Sequence, residues 1–77
     1  MNDIQNRVSQ CFANVFPDVP AAELPKASVS SVAKWDSVAH ITLLASIGEE
    51  FAIEISEDDF EDLNSYAVIL AYVQSRI

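Results

Sequence analysis

The chain has 77 residues, 51% of them apolar, and a formal net charge of −8. A chain of this length buries only about 60% of its unfolded surface. This predicts one domain over residues 1–77, with a modest core and no enclosed catalytic chamber. The negative charge repels nucleic acid and anionic membrane surfaces and attracts basic proteins. We therefore expect protein partners, and neither nucleic-acid binding nor membrane insertion.

The cysteine content and the N-terminus bear on the compartment. Cys11 is the only cysteine, so an internal disulfide is impossible and a reducing compartment is expected. The first residues contain no apolar signal core, and no apolar stretch has the length of a membrane span. Methionine at position 1 predicts a free-standing gene product. The sequence thus predicts a cytoplasmic protein, with a monomer as the default state.

The first helix is predicted from an apolar stripe near the N-terminus. It begins at a cap, Asn2 or Asp3, and ends before Pro17. The apolar side chains at helical spacing are Ile4, Val8, Cys11, Phe12, Val15 and Phe16. Cys11 lies within this stripe, and no cation lies near it in sequence, so we interpret it as a core residue rather than a nucleophile.

Residues 17–36 form a connection longer than most loops, and loops of that length are commonly functional or packed. We expect a short helical turn at 28–32. Five apolar side chains should pack the connection against the bundle: Val19, Leu24, Val29, Val32 and Trp35. Trp35 is expected to anchor the end of the connection, because an indole buries a large apolar area.

The second helix is predicted over residues 37–51. Its apolar face is expected to comprise Val38, Ile41, Leu44, Ala45, Gly48 and Phe51, with Ile47 beside it. A glycine in a helix interior costs about 1 kcal/mol relative to alanine. We therefore expect another helix to approach closely at Gly48.

The remainder of the chain predicts two further helices. Residues 51–55 alternate like a strand, but a lone strand has no partner, so a loop is expected. Ser56 begins an approximate capping box for a short third helix that ends near Leu63, with Phe60 turned inward. Asn64 or Ser65 caps a last helix to about residue 75. Its apolar side chains are Val68, Ile69, Tyr72 and Val73. The predicted fold class is all-α, with four helices, a long first loop and a short third helix.

The pair Asp36-Ser37 directly precedes the second helix and is the main candidate for chemistry. A serine there should expose its hydroxyl beside the unpaired N–H groups of the first turn, which favour an anion such as phosphate. The alternative is that Asp36 or Ser37 is an ordinary helix cap. His40 lies one turn further on and suggests an acid or base for the serine. An exposed helix histidine is the simpler interpretation, because no third residue completes a triad.

Residues 57–62 contain five acids but lack the residue order of a calcium loop, so no metal site is expected. The acids can be a solvated helix face or a docking patch for basic partners. These two interpretations are compatible.

These features together resemble the acyl carrier protein family over nearly the whole chain. The resemblance rests on the length, the long first loop, Asp36-Ser37, the segment 49–55, the acidic third-helix segment and the closing 70–73. Trp35 before Asp-Ser is similar to a bacterial subset of free-standing carriers. The resemblance implies a four-helix bundle in which Ser37 receives 4′-phosphopantetheine from coenzyme A through a phosphopantetheinyl transferase. The thiol of that arm would hold an acyl group as a thioester. The protein would then serve acyl-loading and acyl-transferring enzymes and would not itself be an enzyme.

The resemblance also implies roles for residues around Ser37. Asp36 and Val38 would flank the attachment site, with Val38 in place of the usual leucine on the transferase contact surface. The residues expected to meet partner enzymes are Trp35, His40, Glu49, Glu50, Glu57, Asp58 and Asp59. Ala52 stands where glycine is common, which should demand a negative φ or impose a small strain.

The departures from the family pattern narrow the expected pathway. Ala39 and His40 occupy a surface where fatty-acid carriers often present acids, which favours a specialised fatty-acid, polyketide or related pathway. Peptidyl carriers usually show Gly-Gly before the serine; this chain does not, so an aminoacyl cargo is less favoured but stays open.

Two other functions compete with the carrier. One is an unmodified acidic helical adaptor that binds basic proteins, with Ser37 only a cap. The other is a small hydrolase that uses Ser37 and His40, which predicts ester turnover that disappears in Ser37→Ala.

Overall fold

The computed structural model describes residues 3–77, so the predicted cap Asn2 lies outside the described residues. The chain forms three α-helices: α1 (Asp3–Val15), α2 (Ser37–Phe51) and α3 (Tyr66–Arg76). Two 3₁₀ helices lie between them, at Ala21–Lys26 and Glu57–Asp59. No strand occurs in residues 3–77, where the only β pairing is a single bridge between Ser28 and Ser65. The all-α prediction is confirmed. No helix in this range is long and apolar enough to cross a membrane.

The short elements differ from the sequence predictions. The helical part of the first connection is Ala21–Lys26, whereas residues 28–32 form only a hydrogen-bonded turn. Pro25 bars a regular α-helix here, but a short 3₁₀ helix accommodates it. The predicted short third helix is a three-residue 3₁₀ turn, capped as expected by Ser56, whose hydroxyl accepts from the Asp58 N–H. The first connection is therefore not an open loop.

An aromatic cluster from three segments forms the centre of the core. Phe12 of α1 packs edge-on against Trp35, with ring centroids 5.5 Å apart, and lies 5.0 Å from Tyr66 of α3. Phe16 also belongs to the cluster, with ring centroids 5.4 Å from Trp35 and 6.3 Å from Phe12. Trp35 is only 3% exposed, which agrees with its expected role as the anchor of the connection. The stripe predicted for α1 is also confirmed, because all six of its side chains are buried or packed against the core.

The interpretation of Cys11 as a core residue is confirmed as well. The side chain is buried, and this burial raises the pKa of the thiol above its ordinary value. A thiol with a raised pKa is a weaker nucleophile at neutral pH.

The predicted apolar face of α2 was wrong for three of its residues. Val38 is 74% exposed and Ile41 57% exposed, and Ala45 is also exposed. The buried side chains of α2 are Leu43, Leu44, Ile47 and Phe51. The helix is apolar on two sides, so periodicity alone could not distinguish the side that packs on α1 from the side that faces solvent. The exposed α2 face, defined as Val38, Ile41 and Ala45, adjoins Ser37.

The N-terminus of α3 is tied to the first connection. The Tyr66 N–H donates to the Ala27 carbonyl (2.9 Å) and the Val29 N–H to the Asn64 carbonyl (2.9 Å). Ser65 caps α3 as expected, its hydroxyl accepting from the Val68 N–H. The predicted face of α3 was wrong at Val68, which is 40% exposed, and it omitted Tyr66, which is buried.

The end of α2 explains both Gly48 and Ala52. A Cβ at Gly48 would lie 3.1 Å from the Ile53 carbonyl oxygen, so the close approach comes from the chain's own turn and not, as expected, from another helix. The Ile53 N–H donates back to the Gly48 carbonyl at 3.1 Å. Ala52 makes this turn with φ 53° and ψ 43°, in the left-handed region. The small strain expected at Ala52 is therefore present.

Relief of that strain is a direct test. Ala52→Gly should raise the free energy of unfolding by about 0.5–1 kcal/mol, because the cost of a left-handed alanine exceeds the added entropy of unfolded glycine. Urea denaturation should show a higher midpoint at an unchanged slope. Ala45→Gly, in the exposed interior of the same helix, should instead lower the stability by about 1 kcal/mol. A lower free energy of unfolding in both variants would show that the backbone of Ala52 is not strained.

Candidate functional site

Ser37 is the first residue of α2, and Asp36 is its cap. Asp36 has an extended backbone, and its Oδ1 accepts from the Ala39 N–H at 2.8 Å. Its carbonyl accepts from the His40 N–H at 2.9 Å. Capping is thus supplied by Asp36, which leaves Ser37 free of that role.

The Ser37 hydroxyl is exposed and has no hydrogen-bond partner among residues 3–77. Two of the first N–H groups of α2 are also unengaged in that part of the chain, those of Ser37 and Val38. Together with the positive end of the helix dipole they favour an anion bonded to the serine oxygen. The residues therefore fit a phosphate ester on Ser37.

The residues just before the Asp36 cap are held from two sides, by a contact inside the core and by an ion pair on the surface. The backbone N–H of Trp35 donates to the Val32 carbonyl at 3.0 Å. The indole ring of the same residue is buried and fixes the turn from inside the core. On the outside, the Lys34 ammonium pairs with Asp18 near the end of α1 and holds the pKa of that carboxyl below its ordinary value. Both partners are well exposed, so the ion pair adds little stability. The position of Asp36-Ser37 depends mainly on the buried indole.

His40 does not match either sequence interpretation. It is half-buried, its Nδ1 lies 2.9 Å from the Trp35 indole nitrogen, and its Nε2 lies 2.6 Å from the Phe60 carbonyl oxygen. Both ring nitrogens are engaged, so neither is left to take the proton of Ser37. The expectation of an exposed histidine was wrong, because Phe60 approaches from a segment 20 residues away. This arrangement argues against a hydrolase.

A cavity of about 720 Å³ opens beside Ser37. Its lining combines the start of α2 with the turn at 60–64 and residues 28–30 of the first connection. A second cavity of about 400 Å³ lies along α2 between Ile41 and Gly48 and reaches Ile53 and Phe60. Apolar side chains dominate this second lining. Neither cavity is an enclosed chamber.

The acids predicted to meet partners fall into two groups. Glu50 is paired internally with Arg7, whose Nε lies 2.7 Å from Oε2 and whose guanidinium lies 4.4 Å from the Phe51 ring centroid. Asp59 accepts from the Tyr72 hydroxyl at 3.1 Å and lies 3.7 Å from Arg76. The other three acids, Glu49, Glu57 and Asp58, are exposed, and their carboxylates pair with no side chain of residues 3–77. The same stretch of chain contains no group of three or more acids, histidines or cysteines placed to hold a metal ion.

The cap itself can be tested by stability. Asp36→Ala should cost about 1 kcal/mol of unfolding free energy, because the Ala39 N–H loses its acceptor. Asp36→Asn keeps an acceptor oxygen and should stay within a few tenths of a kcal/mol of the unsubstituted chain. Urea denaturation distinguishes the two. Equal losses in both variants would show that the carboxylate charge, and not the hydrogen bond, stabilises the helix start.

Comparison with known proteins adds a relationship along the whole chain. No protein-family model matches the sequence. The chain is 28% identical over 76 residues to the acyl carrier protein of Buchnera aphidicola subsp. Schizaphis graminum, an alignment that covers 99% of this chain and 96% of the relative. It is 24% identical over 76 residues to the acyl carrier protein of Thermosynechococcus vestitus, covering 99% and 94% respectively. The chain is thus similar at low identity, from end to end, to proteins named acyl carrier protein.

Proposed function

We propose that the protein is an acyl carrier with 4′-phosphopantetheine attached to Ser37. The observation that carries the proposal is the exposed hydroxyl of Ser37 at the first position of α2, which has no partner within residues 3–77, next to a cap that Asp36 already supplies. The end-to-end similarity to two proteins named acyl carrier protein supports it independently. The all-helical fold, with its long connection before α2, suits the acyl-carrier architecture.

The attachment step needs an accessible oxygen and an acceptor site for a phosphate. A phosphopantetheinyl transferase would take the proton of the Ser37 hydroxyl while Oγ forms a bond to the β-phosphorus of coenzyme A. The pyrophosphate bond breaks, and adenosine 3′,5′-bisphosphate leaves. The N–H groups of Ser37 and Val38, which are unengaged within the described part of the chain, would then stabilise the resulting phosphodiester.

The arm's terminal thiol supplies the chemistry, by holding an acyl group as a thioester. The protein's own residues would confine that group to a small volume, which raises its effective concentration at each docked enzyme. Catalysis would belong to the partners, namely the acyl-loading and acyl-transferring enzymes. The apolar cavity along α2 is of a size to shelter part of an acyl chain.

The surface around Ser37 supports docking of enzymes. The exposed α2 face is apolar, and Glu49 lies one turn beyond Ala45 on the same helix. Glu57 and Asp58 add exposed negative charge on the second 3₁₀ helix. A partner with a basic rim around an apolar patch would match this surface. The predicted contributions of Glu50 and Asp59 would be smaller, because both are paired within the chain.

The start of α2 also favours a specialised pathway. Ala39 carries no charge and His40 is engaged with Trp35 and Phe60, so this turn presents no acid beyond Asp36 to a partner. Enzymes that recognise it would need a contact surface matched to apolar Val38 and Ile41. We therefore propose a fatty-acid, polyketide or related pathway with dedicated partners.

Incubation with coenzyme A, magnesium and a broad-specificity phosphopantetheinyl transferase tests the proposal. Intact-mass measurement should show the gain of one phosphopantetheine group per chain. No gain with two unrelated transferases, from protein shown to be folded, would reject the carrier and favour the acidic adaptor.

A further inference from the structure

A chain of two hydrogen bonds links three segments around the Ser37 site. The Trp35 indole N–H, at the end of the first connection, donates to His40 Nδ1 at 2.9 Å. His40 Nε2, on the first turns of α2, lies 2.6 Å from the Phe60 carbonyl oxygen, on the turn after the second 3₁₀ helix. The rings are in contact as well, with centroids 6.0 Å apart for Trp35–His40 and 6.2 Å for His40–Phe60.

The partners determine the protonation state of the imidazole. An indole nitrogen can only donate, so His40 Nδ1 must be the acceptor and carry no proton. The single proton of the neutral ring is then on Nε2, where it is donated to the Phe60 carbonyl. A second proton on Nδ1 would point at the indole N–H, and the link to Trp35 would be lost. Only the neutral Nε2–H tautomer makes both bonds.

Ser37 lies between the two ends of this link. It is two residues after Trp35 and three before His40, and all three line the same cavity as Phe60. The hydrogen bonds from His40 therefore close a short loop of chain that contains Asp36 and Ser37. Because Trp35 is buried and Phe60 is on a separate segment, the loop is attached at both ends to the core.

We infer that His40 is a positioning residue that holds the Asp36-Ser37 corner in the shape a transferase must bind, and that protonation of its ring releases the corner. The inference rests on the proposed function only as far as modification of Ser37 is concerned.

Two charged groups share a cavity with the His40 ring, and both are negative. Asp36, on the end of α2 itself, and Glu61, on the turn that follows Phe60, line the same cavity as His40. Both are carboxylates and attract the positive charge of a protonated ring. Lys34, the cation closest in sequence, is paired with Asp18 and lines a different cavity.

The sequence provides clean probes, since Trp35 is the only tryptophan and His40 the only histidine. In a nitrogen-15 labelled chain, the two imidazole nitrogens should report an unprotonated Nδ1 and a protonated Nε2 at about pH 8. The single indole N–H should be protected from exchange with solvent there. Its protection factor, which is the intrinsic exchange rate at each pH divided by the measured rate, should be at least about tenfold lower at about pH 5, as Nδ1 becomes protonated. In His40→Gln, the amide can accept from the indole and donate to the Phe60 carbonyl but does not titrate, so the indole protection factor should be the same at both pH values.

Loading kinetics test the link to Ser37. The rate of phosphopantetheine transfer to the unsubstituted chain, divided by the rate for His40→Gln at the same pH, cancels the pH dependence of the transferase itself. This ratio should fall about tenfold between about pH 8 and about pH 5. His40→Phe, which keeps a ring but makes neither bond, should be slow at both pH values.

A constant ratio, or a proton found on Nδ1 at about pH 8, would overturn the inference. If no variant is loaded at any pH, the proposed function fails, and the nitrogen and indole signals still decide whether His40 holds the corner.

Discussion

Ser37→Ala is expected to abolish attachment of phosphopantetheine, with no gain of mass at any incubation time. The reason is chemical, because alanine has no oxygen to bond to the phosphorus. The same change should leave the free energy of unfolding within about 0.5 kcal/mol, since the hydroxyl is exposed, makes no hydrogen bond within residues 3–77 and does not cap α2. Intact mass and urea denaturation on one preparation measure both quantities.

Ser30→Ala is the matched control for this change. Ser30 is exposed and lines the same cavity as Ser37, but it lies in the first connection and its hydroxyl is 3.1 Å from that of Ser28. We expect Ser30→Ala to be loaded at the rate of the unsubstituted chain. Loading of Ser37→Ala, or loss of loading in Ser30→Ala alone, would show that the arm is attached to a residue other than Ser37.

Trp35→Ala is expected to cost about 3–5 kcal/mol of unfolding free energy. The indole is 3% exposed and packs against Phe12 and Phe16. A domain of 77 residues has a total stability of about 4–12 kcal/mol, so the variant should lose between about a quarter and all of it. Circular dichroism against urea measures the loss without need of the tryptophan signal.

Trp35→Phe separates packing from hydrogen bonding. It keeps an aromatic ring in the cluster but removes the donor to His40, and it should cost less than half as much as alanine. This comparison also tests the sequence prediction that Trp35 contacts partners directly. If Trp35→Ala were as stable as the unsubstituted chain and weakened only partner binding, the indole would be a surface contact and not an anchor.

Features that depend on neighbouring residues could be predicted from the sequence. The bounds of α2 were predicted as 37–51 and are confirmed, with Asp36 as the cap and Ala52 in a left-handed turn directly after the helix. The caps at Ser56 and Ser65 were predicted for the same reason. Each of these depends on hydrogen bonds that span two to four residues.

Features that depend on contacts between distant segments could not be predicted from the sequence. The exposure of Val38 and Ile41 follows from the side of α2 on which α1 packs, and either apolar side would satisfy the periodicity. The role of His40 depends on Phe60, which the fold brings to it from 20 residues away. The bridge between Ser28 and Ser65 is likewise long-range.

The acidic residues also combine a feature that the sequence predicted with features that depend on distant segments. Their density predicted a negative surface, but the sequence did not indicate that Glu50 would pair with Arg7, 43 residues distant, or that Asp59 would accept from Tyr72. Of the five acids predicted to meet partners, three stay unpaired within residues 3–77, and only the packing of the chain defines which: Glu49, Glu57 and Asp58.

Fragmentation of the loaded chain in a mass spectrometer is the most direct test of the central claim. The chain has several serines, so a gain of intact mass alone does not identify the oxygen that carries the arm. We predict that the added phosphopantetheine appears only on fragments that contain Ser37. Its appearance on fragments that end before residue 37, or on those that begin after it, would contradict the assignment of this helix start as the attachment site.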